Sequence, residues 1–247
     1  MSTCEEIWEA ALNESPTALS ALINASADVD AQTSDNRTAL HFSSWQGQHA
    51  AVQALVNNRA SLDVKDDYGS KTPLHYAAWL GQSAVAKILV DAKASIDIVD
   101  SSIHRTPLHY ASESGHFEVV QVLVDAKASV NLKDMTKWPP LYHAARNGHT
   151  AIVRILLDAK AALDVGEDDE QRTPLHFAAE HGYTEVAQLL VDARADVDAK
   201  DAFYLRTPLH VASLYGHTAI VQILVDAKAD IDIQELSEYT PLHHAAE

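Results

Sequence analysis

Cysteine is almost absent. Cys4 is the only one in 247 residues, so no disulfide can form within the chain. Basic residues are scarce too: Lys and Arg number 18 against 35 Asp and Glu, a formal net charge of −17. Binding a phosphate backbone draws on clustered cations, so nucleic acid is excluded as a partner, and an anionic membrane surface with it. A basic segment of another protein suits this charge, and plain solubility is an equally physical reason for it. No run reaches the ~18 consecutive apolar residues of a membrane span, which predicts no membrane insertion. The opening MSTCEEIWEA is acidic and lacks the basic start and apolar stretch of a secretory signal. A reducing, soluble compartment is expected, the cytoplasm first, with the nucleus or a host cell's cytoplasm left open. The sequons at Asn13, Asn24 and Asn36 are then chance matches.

Catalytic signatures are missing as well. There is no HExxH, no paired CxxC, no GxSxG and no glycine-rich phosphate loop. Cys4 has no plausible triad around it. The acidic stretch GEDDEQ at 166–171 lacks the D-x-D-x-D-G spacing of a calcium loop and reads as a solvated acidic loop. No catalytic residue, cofactor or metal is expected, and the chain is not expected to be an enzyme. Apolar residues make up 47%, which marks a folding chain. Aromatic residues are only 6%, so the positions they occupy are informative.

What the chain has is repetition. LVDAKA stands at 89–94, 123–128 and 224–229, with LLDAKA at 156–161 and LVDARA at 190–195. Successive starts are separated by 34, 33, 34 and 34 residues, and a fixed period in the range of roughly 20–50 is the mark of a repeat array. A second block keeps the same step: TALHFSS at Thr38, TPLHYAA at Thr72, TPLHYAS at Thr106, PPLYHAA at Pro139, TPLHFAA at Thr173, TPLHVAS at Thr207 and TPLHHAA at Thr240. Thr is a good N-cap and Pro at the first helical position loses no hydrogen bond. A short helix therefore starts at each block and stops at a glycine such as Gly81 or Gly115. A second helix of about ten residues follows, with apolar residues at helical spacing (Val119, Val120, Leu123). An Asp-rich, hairpin-like loop then leads to the next block.

The blocks TPLHYAA, the turn glycine and the run EVVQVLV resemble the ankyrin repeat, over nearly the whole chain. The resemblance implies an all-α ankyrin-repeat solenoid of stacked helix-turn-helix units with protruding β-hairpin-like loops, about seven repeats and a partial last one. The expected units are 1–34, 35–68, 69–102, 103–135, 136–169, 170–203, 204–236 and 237–247, forming one domain. Two departures stand out. Where the family has glycine after the second helix, this chain has Arg59, Lys93, Lys127, Lys160, Arg194 and Lys228. The hairpin glycine before Thr is replaced by Asn36, His104, Lys137, Leu205 and Glu238. A consensus-designed scaffold would keep these glycines.

Fourteen histidines invite a metal reading. His41, His75, His109, His176, His210 and His243 are the fourth letter of the block, and equivalent positions in stacked helices lie roughly 8–10 Å apart. Zinc ligands must converge to ~2.1 Å. The resemblance implies a structural histidine, hydrogen-bonded within its repeat.

Residues that change from repeat to repeat are free to specify a partner. The family resemblance places the residues before the turn glycine on a concave face beside the loops: Trp45, Trp79, Leu80, Arg146, Asn147, Glu180, His181, Leu214 and Tyr215. The loop tips add Tyr68, Met135, Trp138, Phe203 and Tyr204. Interface hot spots favour Trp, Tyr and Arg, so a partner protein is expected to bind here. Trp45 and Trp79 share one slot, either as a continuous exposed platform or packed against helix ends. Trp8 reads as packing. At Pro139 the block loses its Thr cap and its histidine moves to His143, a softer junction or simple drift. The resemblance makes Asn131 a possible hydroxylation site; an ordinary loop asparagine is the competing reading.

A non-catalytic protein-interaction module is the function expected. Two alternatives stay open: an interaction domain of a larger channel, enzyme or microbial effector, and a structural protein that self-associates through its uncapped C-terminal end.

Overall fold

A computed structural model of the chain describes residues 3–13, 15–163 and 170–246. The acidic stretch at 166–171 falls outside them except for Glu170 and Gln171. The fold is an all-helical repeat solenoid with no strand among the described residues. It divides into two compact units, Met1–Ser129 and Val130–Glu247.

Unit 1 holds α1 (Thr3–Leu12), α2 (Pro16–Asn24), α3 (Ala39–Gln46), α4 (His49–Asn57), α5 (Pro73–Trp79), α6 (Ser83–Asp91), α7 (Pro107–Ser114) and α8 (Phe117–Asp125). The odd-numbered helices pack in one layer and the even-numbered helices in another. Unit 2 holds α9 (Pro140–Arg146), α10 (Thr150–Asp158), α11 (Pro174–His181), α12 (Thr184–Asp192), α13 (Pro208–Leu214), α14 (Thr218–Asp226) and α15 (Pro241–Ala245), again with odd and even layers. A single pair could not cover its own apolar face; neighbours do so. Leu74, Leu108, Leu141 and Leu175 are fully buried, as are Leu89, Leu123, Leu156 and Leu190 of the second helices. Trp8 belongs to this packing and donates Nε1–H to the Ala31 carbonyl at 2.9 Å.

Each TPLH block starts its helix by the same device. Thr72 is extended (φ −91°, ψ 166°) and Pro73 opens α5. The Thr72 backbone N–H donates to His75 Nδ1 at 3.1 Å, so histidine performs the return bond that Glu or Gln makes in a capping box. An N–H can only donate, so Nδ1 is unprotonated and the ring proton sits on Nε2. That Nε2–H points forward, to the Arg105 carbonyl at 3.1 Å. His41 reaches Lys71 O, His176 reaches Arg206 O and His210 reaches Tyr239 O in the same way. The histidine thus bonds within its repeat, as the resemblance implies, and also to the following one.

The substituted glycine positions keep the glycine geometry. Lys93 has φ 73°, Lys127 70°, Lys160 65°, Arg194 71°, Lys228 69° and Arg59 64°. After α6 the Ala94 N–H bonds back to Leu89 O and Lys93 N–H to Val90 O, both at 3.0 Å, closing a Schellman motif around a non-glycine residue. In the loops Asn36, His104, Lys137, Leu205 and Glu238 are also left-handed, with φ 59°, 55°, 64°, 58° and 63°. Each fully described loop is a tight turn without strand pairing, closed by bonds such as Asp100 N–H to Arg105 O at 3.0 Å.

Candidate functional site

Buried carboxylates, Asp66, Asp100, Asp134, Asp201 and Glu235, organise five of the described loops beside the odd layer. Asp100 accepts from the backbone N–H groups of Ile103 and Arg105, both at 3.1 Å, and from the Tyr110 hydroxyl at 2.5 Å. Burial alone would raise this carboxyl, but the Tyr110 and backbone hydrogen bonds pull it below the ordinary carboxylate value. Asp66 holds Lys71 N–H at 2.9 Å and the Tyr76 hydroxyl. Burial and the bond to Asp66 push the Tyr76 hydroxyl up to about 12.

The irregular block at Pro139 proves to be an exchange of two letters. Tyr142 sits where other repeats have histidine, and His143 sits where they have Tyr76 or Tyr110. His143 accordingly takes over the tyrosine's task, with Nε2 2.9 Å from Asp134 Oδ2. Asp134 also accepts from Thr136 and Trp138 N–H at 2.9 and 3.1 Å. Although burial opposes it, the His143 and Thr136 bonds hold this carboxyl well below the usual range. Pro139 supplies no side-chain cap to α9.

In four repeats the residue just before the cap meets the residue eight positions later, at the end of the odd helix. The Arg37 guanidinium lies 5.2 Å from the Trp45 ring centroid and 4.4 Å from Tyr68. Arg105 pairs with Glu113 at 2.5 Å and Arg172 with Glu180 at 2.6 Å. In the fourth block the two types are reversed: Trp138 precedes the cap and Arg146 ends the helix, its guanidinium 5.2 Å from the Trp138 centroid. Each residue named in these pairs is held by its partner and still reaches the surface.

Trp45 stacks on the buried Tyr76 ring (5.3 Å between centroids, 7° between planes) and keeps 41% of its surface exposed. Trp79 leans on Tyr110 at 6.1 Å and is 44% exposed. Each tryptophan packs on the next repeat's tyrosine and presents its outer face. Leu80 is exposed beside Trp79.

In unit 2, Trp138 is half-buried against Phe177 (5.3 Å, 65°). Arg146, Asn147 and His181 are exposed, and Glu180 is half-buried. Trp138, Arg146, Glu180 and His181 come together around an open cavity of about 660 Å³ also lined by Lys137, Glu170, Arg172 and Phe177. Leu214, Tyr215, Phe203 and Tyr204 are exposed; Tyr204 lies under the Arg206 guanidinium at 4.6 Å. Asn131 is exposed and accepts from Ala162 N–H at 2.8 Å through Oδ1. It occupies the place in which Asp63 and Asp97 clamp Ser95 and Ser129 of the following repeat.

The repeat reading left Arg37 and Arg172 out of the site. Aligning the repeats on their caps would have brought them forward, because the residue before the cap is a cation at Arg37, Lys71, Arg105, Arg172 and Arg206 and an aromatic at Trp138, where the cation moves to Arg146. Among the described residues no cluster of His, Cys, Asp and Glu could hold a metal ion, and no helix is long and apolar enough to cross a membrane.

These features are those of an ankyrin array, and comparison with known proteins agrees. A family model described as ankyrin repeats (3 copies) matches residues 7–100 and 126–201. A single ankyrin repeat matches 104–135, and ankyrin repeats (many copies) match 201–245. The chain belongs to the ankyrin-repeat family. Among solved structures it is similar to the ankyrin repeat domain of human ASB11, at 27% identity and TM-score 0.78, covering 91% of this chain and 98% of that one. The ankyrin repeat domain of Bcl-3, described as a unique member of the IkappaB protein family, is similar at 29% identity and TM-score 0.75, covering 85% and 95%. No curated protein sequence matches. Ankyrin repeats are in general protein-interaction modules.

Proposed function

We propose that this chain is a non-catalytic interaction module that holds a partner protein on the loop-side ends of its odd helices. In unit 1 the contact surface is Trp45, Trp79 and Leu80 with the loop residue Tyr68. In unit 2 it is Trp138, Arg146, Asn147, Glu180, His181, Leu214 and Tyr215 with Phe203 and Tyr204. The observation that carries the reading is the preset geometry of the exposed aromatics. Trp45 is locked on Tyr76 and under Arg37, so binding its outer face costs little side-chain entropy. The excess of acids favours a basic segment in the partner.

The test is retention of a purified partner by the triple variant Trp45→Ala/Trp79→Ala/Tyr215→Ala. Retention should fall at least about tenfold with an unchanged far-UV spectrum, and undiminished retention by the folded variant would refute the proposal.

One observation favours self-association as a second reading. Leu242 of α15 is 76% exposed, whereas Leu209, its equivalent in α13, is 2% exposed. Beside it lies an apolar cavity of about 220 Å³ lined by Leu209, Val221, Val225 and Ile231. Light scattering across a concentration series decides it: a mass that stays monomeric removes this reading.

A further inference from the structure

The cations of the odd layer are neutralised by the chain itself. Arg37 lies 3.7 Å from Asp35 and 3.5 Å from Asp66, Lys71 is 3.7 Å from Asp100, Arg105 pairs with Glu113, Arg172 with Glu180 and Arg206 with Glu235. Arg146 is the exception. Its guanidinium lies over Trp138 and meets no carboxylate within ion-pair distance among the described residues. The letter exchange explains why: with Trp138 before the cap and Arg146 at the helix end, the slot that holds Glu113 or Glu180 elsewhere is filled by the cation. A flat guanidinium on an indole keeps its edge free, and that edge carries N–H donors in the fork that matches a carboxylate.

The surroundings make this more than an exposed arginine. Trp138 and Arg146 line the 660 Å³ cavity together with Lys137, Glu170, the Arg172–Glu180 pair and His181. Glu180 is already engaged by Arg172, so it does not compensate Arg146. His181 is stacked on Tyr183 at 5.5 Å and its Nδ1 faces the Phe177 carbonyl at 3.0 Å, which fixes the ring as a wall.

The geometry points to an anchor pocket for one acidic side chain, an Asp or Glu carried on a partner's peptide segment, whose carboxylate completes Arg146 as Glu113 and Glu180 complete Arg105 and Arg172. The inference rests on the interaction reading above and deepens it: the segment is basic overall, in keeping with the chain's charge, and carries one carboxylate that enters at Arg146. The methylene groups of that side chain lie against the Trp138 ring. A side chain is the source, not a chain terminus, because the cavity is open to solvent and a segment can pass along its mouth.

The test uses the whole chain and random peptides displayed on phage. Selected peptides that lose binding to the folded Arg146→Gln variant are synthesised with both ends blocked, and each Asp or Glu is changed to its amide. One such change should weaken binding about tenfold or more on the native chain and less than about twofold on Arg146→Gln. Arg146→Glu should prefer the same peptide with Lys at that position. Arg146-dependent peptides that are indifferent to every amide change, or that require a free C-terminus, overturn the acidic side-chain anchor. Selection of peptides that depend on Trp45 but never on Arg146 overturns it too, while leaving the interaction reading intact. A chain that selects no peptide at all refutes both.

Discussion

Arg146 covers Trp138 at 5.2 Å, the distance at which Arg37 covers Trp45, with the two residue types exchanged between helix start and helix end. The same contact is built from opposite ends. A double-mutant cycle on Trp138→Phe and Arg146→Gln should give a coupling of about 0.5–1 kcal/mol. Urea denaturation of the two single variants and the double variant measures it, and strict additivity would show that the pair contributes nothing to stability.

Lys93 at φ 73° carries the steric cost of a side chain in the left-handed region. Lys93→Gly should therefore stabilise the chain by about 0.5–1 kcal/mol, after the larger unfolded-state entropy of glycine is deducted. Ala92→Gly one residue earlier, where φ is −75°, should destabilise by a similar amount. Equal effects of the two changes would mean the backbone at Lys93 is unstrained.

The block at Pro139 can be rebuilt. Pro139→Thr/Tyr142→His/His143→Tyr restores the cap, the return bond from His Nδ1 and the tyrosine hydroxyl on Asp134. The triple variant should be more stable than the native chain by about 1–2 kcal/mol. A destabilised triple variant in thermal melts would show that the neighbours are built around the exchanged letters.

Burial lowers His75 and His176 to about 4. Their Nδ1 atoms face N–H donors, so a second ring proton has no acceptor there. Both groups are depressed in the folded state, so their stabilising contribution is complete above the unfolded value near 6.5. It is lost as pH falls from there toward 4, because unfolding then takes up protons. Unfolding free energy should drop by about 2 kcal/mol per pH unit between pH 6 and 5. Urea midpoints recorded at pH 7, 6 and 5 measure this, and a flat profile would contradict the assignment of these two rings as buried and neutral.

Much of the fold was legible because the features that build it recur. Seven blocks at a constant step announce helix starts, turn glycines and buried leucines. The resemblance then supplied the loops. The pairs flanking each odd helix were harder to read, since Arg37 and Trp45 meet only when the chain folds back over the cap, and neither residue recurs in every repeat. The fourth block could be read as damage until the structure showed His143 on Asp134. The candidate site was legible as a set of variable positions. Which of them share a cavity was not, because that depends on ring orientation: Trp138 turns toward Phe177, and so joins Arg146 to Glu180 and His181.

The forward bonds from His41, His75, His176 and His210 have a consequence for how such a chain can change in length. His41 needs only a backbone carbonyl at the residue before the next cap, and Lys71 offers it. Removing residues 72–105, one whole period, would splice Lys71 to Thr106 and leave His41 with the same oxygen and Leu40 with the same kind of neighbour. Removing half a period would strand a buried imidazole. The protein is thus written in words of about 34 letters, which can be added or dropped whole but not cut.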